Sequence, residues 1–170
     1  MFGQSALSEL FSAVWFILPA YIANGAALVL GGGPPLDAGR FLHDGRRILG
    51  DGVTIRGTLG GIAVGAAAGA VQGLLVSDVA QGLLVGLLMG LGSMFGDSLG
   101  SFAKRRLGLE RGRPAPGLDQ LGFLVFAIAF ASLATRVTLV RVAILLILTP
   151  TIHLCTNALA YRMGMKKVWY

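Results

Sequence analysis

The sequence predicts an all-α integral membrane protein, five transmembrane helices carrying two cytoplasmic ligand-binding loops. Of its 170 residues, 55% are hydrophobic and 13% are charged, roughly half the charged share of an ordinary soluble domain. The charges are bunched, and they leave apolar runs between them. Those runs are close to the ~20 residues that a helix needs to cross a bilayer core. The whole chain, residues 1–170, reads as a single transmembrane catalytic domain.

The expected spans are Ala6–Leu30, Gly57–Val76, Val79–Gly100, Leu118–Thr135 and Leu139–Arg162. The first has no basic segment before it, Glu9 precedes its apolar run, and the run is too long for a signal-peptide core. It is therefore expected to be retained. Only Ser77-Asp78 separates the second and third spans, which predicts a tight hairpin. The fourth span, the shortest, meets the fifth through Arg136-Val137-Thr138.

Basic residues set the orientation. Arg40, Arg46, Arg47 and Arg56, then Lys104, Arg105, Arg106, Arg111 and Arg113, then Arg162, Lys166 and Lys167 fall on one side. The other side has Arg136 and, nearby, Arg141. Positive charge marks the cytoplasmic face, so the N-terminus is expected outside and the C-terminus inside the cell membrane. The same placement accounts for the net charge of +6 without a nucleic-acid partner. No obligatory protein partner is expected. Cys155 is alone and can form no intrachain disulfide. Trp169 and Tyr170, with Lys166 and Lys167, read as an interfacial anchor.

Glycines recur every four residues at 57, 61, 65, 69 and 73, again at 82, 86 and 90, and on another register at 92, 96 and 100. That spacing gathers them on one helix face, where two backbones can approach closely. Tight packing within the bundle is the plain reading; a substrate groove or dimer seam is the alternative.

Two cytoplasmic segments hold nearly all the polar residues. The first, GGGPPLDAGRFLHDGRRILGDGVTIR, interleaves Asp37, Asp44 and Asp51 with Arg40, Arg46, Arg47 and Arg56. The second, SFAKRRLGLERGRPAPGL, is bracketed by Asp97 and Asp119. Asp97 falls inside the third span near its inner end, a costly place for an ionisable group and a functional candidate for that reason. Helical spacing aligns Ser93, Asp97, Ser101 and Lys104 as a polar stripe. Asp97 and Asp119 are expected to converge as a metal site, since Mg2+ takes one or two carboxylates and fills its octahedron with phosphate oxygens and water. Thr54, Arg56 and Gly57, at the start of the second span, suit either a phosphate cradle or an ordinary helix cap. His43 reads as a surface residue. Asn24 on the first span lies close enough to the loops to join the site, while His153 and Cys155 lie too deep.

The runs PPLDAGR…DGRRILGDGVTIRGTLGG and GDSLGSFAKRRLGLERGRPAPGLDQLGF resemble the archaeal CDP-archaeol synthase family, over roughly Asn24 to Phe123. The resemblance implies a five-span enzyme, distantly similar to the CDP-diacylglycerol synthases. Its reaction joins CTP to an isoprenoid ether lipid phosphate, unsaturated archaetidic acid, among membrane lipids; Mg2+ is required and pyrophosphate is released. Asp97 and Asp119 match the family's acidic positions, and Ser101, Lys104 and Arg105 match its S-x-x-K-R signature. Arg46, Arg47, Asp51, Thr54, Arg56 and Gly57 match its first cytoplasmic motif. The chain departs from the pattern at Val53, where a lysine is expected, and at Gly122, where a second acid is expected.

Catalysis is thus expected from Asp97, Asp119 and Lys104. Substrate binding is expected from Asn24, Asp37, Arg40, Arg46, Arg47, Asp51, Thr54, Arg56, Gly57, Ser101, Lys104, Arg105 and Arg111. Two other classes compete. A CDP-alcohol phosphotransferase would need a D-G-x-x-A-R motif that does not follow Asp44-Gly45, and a small transporter would need a polar path through the outer half.

Overall fold

A computed structural model of the chain describes residues 2–110, 113, 115 and 117–165. Arg111 and the expected anchor at 166–170 lie outside the described residues. Five helices follow one another: α1 Phe2–Leu30, α2 Ile55–Leu75, α3 Val79–Arg106, α4 Leu118–Ala131 and α5 Leu139–Arg162. All but α4 are long and apolar enough to cross a membrane.

Two boundaries differ from expectation. The α3 helix runs past Gly100 to Arg106, 28 residues in all. At 1.5 Å per residue that is about 42 Å, longer than a bilayer core, so its last turns carry Lys104, Arg105 and Arg106 beyond the apolar zone. The α4 helix stops at Ala131, four residues short of the expected Thr135. There the Ser132 hydroxyl donates to the Ala129 carbonyl at 2.6 Å, a local bond that competes with helix continuation. The segment nonetheless runs beside most of α3. Gly100 faces the Leu118 carbonyl at one end, and the Gln81 amide donates to the Ala134 carbonyl at 2.8 Å at the other.

The glycine stripes explain how the helices meet. A Cβ on Gly69 would sit 2.3 Å from the Gly82 carbonyl oxygen, and one on Gly86 2.6 Å from that of Gly65. Those contacts are impossible for any side chain, so α2 and α3 pack backbone to backbone. Gly57 and Gly61 admit α1 in the same way, through the Ala27 and Ala23 carbonyls. On the second register, Gly92 and Gly96 take the Phe126 and Gly122 carbonyls of α4. The stripes therefore serve packing inside the bundle. Ser77, at φ +60, makes the turn between α2 and α3, and the Asp78 carboxylate caps α3 by accepting from the Gln81 amide at 3.1 Å.

Ala13, Ile17, Ala20, Met89, Phe123, Leu124, Ala127, Ala131 and Leu145 form the buried core. Small residues on α1 and α4 bring those helices close around Met89. The α5 helix is the most exposed of the four long ones, with 11% of its apolar window buried. That leaves a cleft between it and α1.

Candidate active site

The first loop is built around Asp37, whose side chain is 1% exposed. Its carboxylate accepts from the Gly39 amide at 3.1 Å, the Leu49 amide at 2.9 Å and the Gly50 amide at 3.0 Å. Arg47 completes the set at 2.8 Å, with its other terminal nitrogen on Asp51 at 2.8 Å. Burial pushes the Asp37 carboxyl up. The hydrogen bonds from Arg47 and the Gly50, Leu49 and Gly39 amides outweigh it and hold the group well below the usual carboxylate range. Asp37 was expected to bind substrate; in the structure these bonds fold the loop. Gly50, at φ +90, takes the left-handed turn that favours glycine, and the Arg105 stem lies over it at ordinary contact distance.

Thr54 is buried and caps α2, its hydroxyl accepting from the Gly57 amide at 3.1 Å. Of the two readings of this segment, the geometry shows the cap. Gly57 itself lies under α1, where a Cβ would be 2.8 Å from the Ala27 carbonyl. Arg56, one residue into the helix, is exposed, as are Arg40, His43 and Asp51.

The Asp97 carboxylate accepts from the Asn24 amide at 2.8 Å, which ties α3 to α1. One oxygen of Asp119 pairs with Lys104 at 2.5 Å and the other accepts from the Ala115 amide at 2.8 Å. The two acids thus sit on neighbouring helices, Asp97 beside Asn24 and Asp119 beside Lys104. Along α3, Lys104 is seven residues past Asp97, about 10 Å of helix rise. Ser101 lies half-buried between them.

Among the described residues no three His, Cys, Asp or Glu side chains cluster to hold a metal ion. Asp97, with the Asn24 amide beside it, and Asp119 provide hard oxygen donors but no closed cage. That set fits Mg2+ carried largely on substrate phosphates, which normally takes few protein ligands.

Two features were not legible in the sequence. Arg106 donates to Asp44 and to the Arg46 and Arg47 carbonyls, fastening the first loop to the end of α3. Its only signal was being the third of three consecutive basic residues. A cavity of about 350 Å³ also opens between α1, α4 and α5, lined by Tyr21, Asn24, Phe123, Thr149, His153 and Asn157 among others. Tyr21 bonds Thr149 at 2.7 Å, and His153 stacks on Phe123 with ring centroids 6.3 Å apart. His153, expected to be remote, shares this cavity with Asn24, the partner of Asp97.

Comparison with known proteins decides the family. The model of the CarS-like CDP-archaeol synthases matches residues 6–170. The chain belongs to that family. The CDP-archaeol synthase of Thermococcus gammatolerans is 49% identical over 169 residues, covering 97% of this chain and 99% of its own length. That of Methanocaldococcus jannaschii is 41% identical over 172 residues, covering 95% and 97%. A solved structure described as an intramembrane enzyme for archaeal membrane lipids biosynthesis superposes with a TM-score of 0.79 at 44% identity, over 87% of this chain and 94% of that one. As a CarS-like chain with this helix content, the protein is a multi-pass membrane protein.

Proposed function

We propose that the chain is a CTP-dependent cytidylyltransferase that joins CMP to the phosphate of an isoprenoid ether lipid, unsaturated archaetidic acid, and releases pyrophosphate. Family membership over nearly the whole length, at close to half identity to curated CDP-archaeol synthases, carries this reading. The product is CDP-archaeol in its unsaturated form. Residues 1–170 act as one catalytic domain, with the N-terminus outside the cell and both loops in the cytoplasm, as the basic residues direct.

A phosphate oxygen of the lipid attacks the α-phosphorus of CTP. The bond from that phosphorus to the bridging oxygen of the β-phosphate breaks, and pyrophosphate leaves with the electron pair. The lipid phosphate is already an anion, so no strong base is needed. The obstacle is repulsion between anions, which fixed positive charge relieves. Lys104 and Arg105 on the last turn of α3 and Arg47 in the first loop would supply it, with exposed Arg40 and Arg56 nearby and Ser101 on the stripe between Asp97 and Lys104. Arg111 extends the same basic loop. Asp37, Arg46, Asp51, Thr54 and Gly57 shape the walls that present these groups.

Asp97 and Asp119 would hold Mg2+, with Asn24 orienting Asp97. When bound, Mg2+ offsets charge on the triphosphate. Lys104 pairs with Asp119 and would be freed to meet phosphate once that carboxylate engages the metal. The cavity between α1, α4 and α5, lined in part by Asn24, would take part of a prenyl chain, the rest lying among the membrane lipids.

The test is transfer of radiolabel from [α-32P]CTP into extracted lipid, with the purified protein, the lipid phosphate and Mg2+. Label should enter the lipid with the wild type and should be lost with Asp97→Asn, which keeps the fold. No lipid label from the wild type would overturn the assignment, and near-normal transfer by Asp97→Asn would remove the proposed metal site.

A further inference from the structure

Both cytoplasmic segments are expected to bind ligand, and the structure holds the first against the end of α3 by a two-way clasp. Arg106, on the last turn of α3, reaches outward. Its guanidinium pairs with Asp44 and donates to the backbone carbonyls of Arg46, at 3.3 Å, and Arg47, at 2.5 Å. Arg46 reaches back the other way. Its guanidinium donates to the Arg105 carbonyl at 3.4 Å and to the Arg106 carbonyl. Those carbonyls are among the acceptors that a helix C-terminus leaves without intrahelical partners, and a cation there also complements the helix dipole. Each arginine thus adds a donor to the other segment's backbone.

The clasp works against charge. Arg46, Arg47, Arg105 and Arg106 are drawn together around it, and the buried Nε atoms of Arg47, Arg105 and Arg106 find no hydrogen-bond acceptor among the described residues. Like charges at this spacing repel. The closing contacts must hold the cluster, and Asp44 is the counter-charge that Arg106 has. Arg106 is further fixed by the Phe102 ring, 5.2 Å from its guanidinium carbon. The consequence falls on two other residues. Arg47 belongs to the first loop and Arg105 to α3, and their relative placement is set by whether the loop lies on the helix end, where the Arg105 stem crosses Gly50.

We propose that Arg106, through Asp44 and the Arg46 and Arg47 carbonyls, is a positioning residue that fixes Arg47 against Arg105 and so pre-forms the site for the triphosphate before CTP arrives. This rests on the reading of the chain as a CTP-dependent enzyme only in naming the anion. Arg106 does not itself act on the reacting phosphates. Its loss lets the first loop leave α3 and makes nucleotide binding carry the cost of closing it, as a population of competent molecules below one reduces apparent affinity.

The experiment uses the full chain in detergent, as wild type, Arg106→Lys, Arg106→Gln, Asp44→Asn and the Arg106→Gln/Asp44→Asn double variant. Thermal melts first establish that each is folded. Amide hydrogen exchange without substrate is then followed over 37–50, and kcat and KM for CTP are measured separately. Arg106→Gln should speed exchange in that segment and raise KM for CTP about tenfold, the size of one charge-assisted hydrogen bond lost, with kcat within about twofold of wild type. Arg106→Lys, which keeps the ion pair but not the forked contacts, should fall between. The double variant should be little worse than Arg106→Gln, because the two residues form one contact. Unchanged exchange in the loop, or a fall in kcat at constant KM, would overturn the proposal. If the wild type transfers no CMP, the function fails while the exchange measurement still judges the clasp. Should Arg106→Gln not fold, Asp44→Asn and Arg106→Lys decide by the same two readouts.

Discussion

At the scale of single residues, the same chemical type is put to different uses by its surroundings. Asp37, Asp97 and Asp119 all looked like ligands in the sequence. Asp37 is closed off by three backbone amides and Arg47, Asp119 faces Lys104 across a partly exposed ion pair, and Asp97, within α3, accepts from the Asn24 amide. The Lys104–Asp119 pair keeps partial access to solvent on both side chains, so it can be exchanged for contact with a phosphate. The Asn24 amide holds one Asp97 oxygen at 2.8 Å, and under the proposed function it would orient that carboxylate toward the metal. Asn24→Ala should lower kcat by roughly tenfold to a hundredfold, the range seen when a partner of a metal-ligating group is removed, and should raise the Mg2+ concentration needed for half-maximal rate. Titrating Mg2+ against lipid labelling checks it; an unchanged Mg2+ requirement would place Asn24 outside the site.

At the scale of elements, stability rests on backbones that touch. Gly86 meets α2 with 2.6 Å between its would-be Cβ and the Gly65 carbonyl oxygen. Gly86→Val has to drive the hairpin apart, and overpacking of this kind costs about 1–3 kcal/mol or more. It should lower the melting temperature and the yield of folded protein in detergent. Gly25→Ala on α1 meets nothing within 4 Å and should leave the melting temperature unchanged or raise it, since alanine is the better helix former. Melts of the two variants separate crowding from mere loss of glycine. The hairpin and the stripes were legible in sequence because spacing of four is a local pattern. The partners were not: nothing in positions 92 and 96 says that α4, not α2, fills them.

At the scale of the whole molecule, the proposed site is where the first loop meets the end of α3 and the end of α3 meets the start of α4. Its acid stability follows from two carboxylates with lowered pKa. Asp37 is lowered for the reasons given above. Asp44 is lowered first by the Arg46 amide, which outweighs desolvation, with help from the Arg106 side chain and the charges of Arg106 and Arg46. A carboxyl with a lowered folded-state pKa gives its full contribution above the unfolded value, near pH 4, and loses it as pH falls toward the folded value. The first loop should therefore keep its slow hydrogen exchange from neutral pH down to about pH 4 and lose it only in stronger acid. Exchange over 37–50, corrected for the intrinsic pH dependence, tests this; loosening already at pH 6 would contradict it.

The sequence by itself determined the helices, their order, the side on which polar residues gather and the family. Each of these is written in runs of neighbouring residues, in hydropathy, charge asymmetry and motif spacing, because a bilayer selects on composition within a single span. The tertiary structure alone decided that Asp37 folds a loop, that Arg46 and Arg106 clasp two loops, and that His153 shares a cavity with the partner of Asp97. Those outcomes depend on which backbones approach and which donors then reach them, and such pairings join residues that are distant in sequence and carry no local mark of each other.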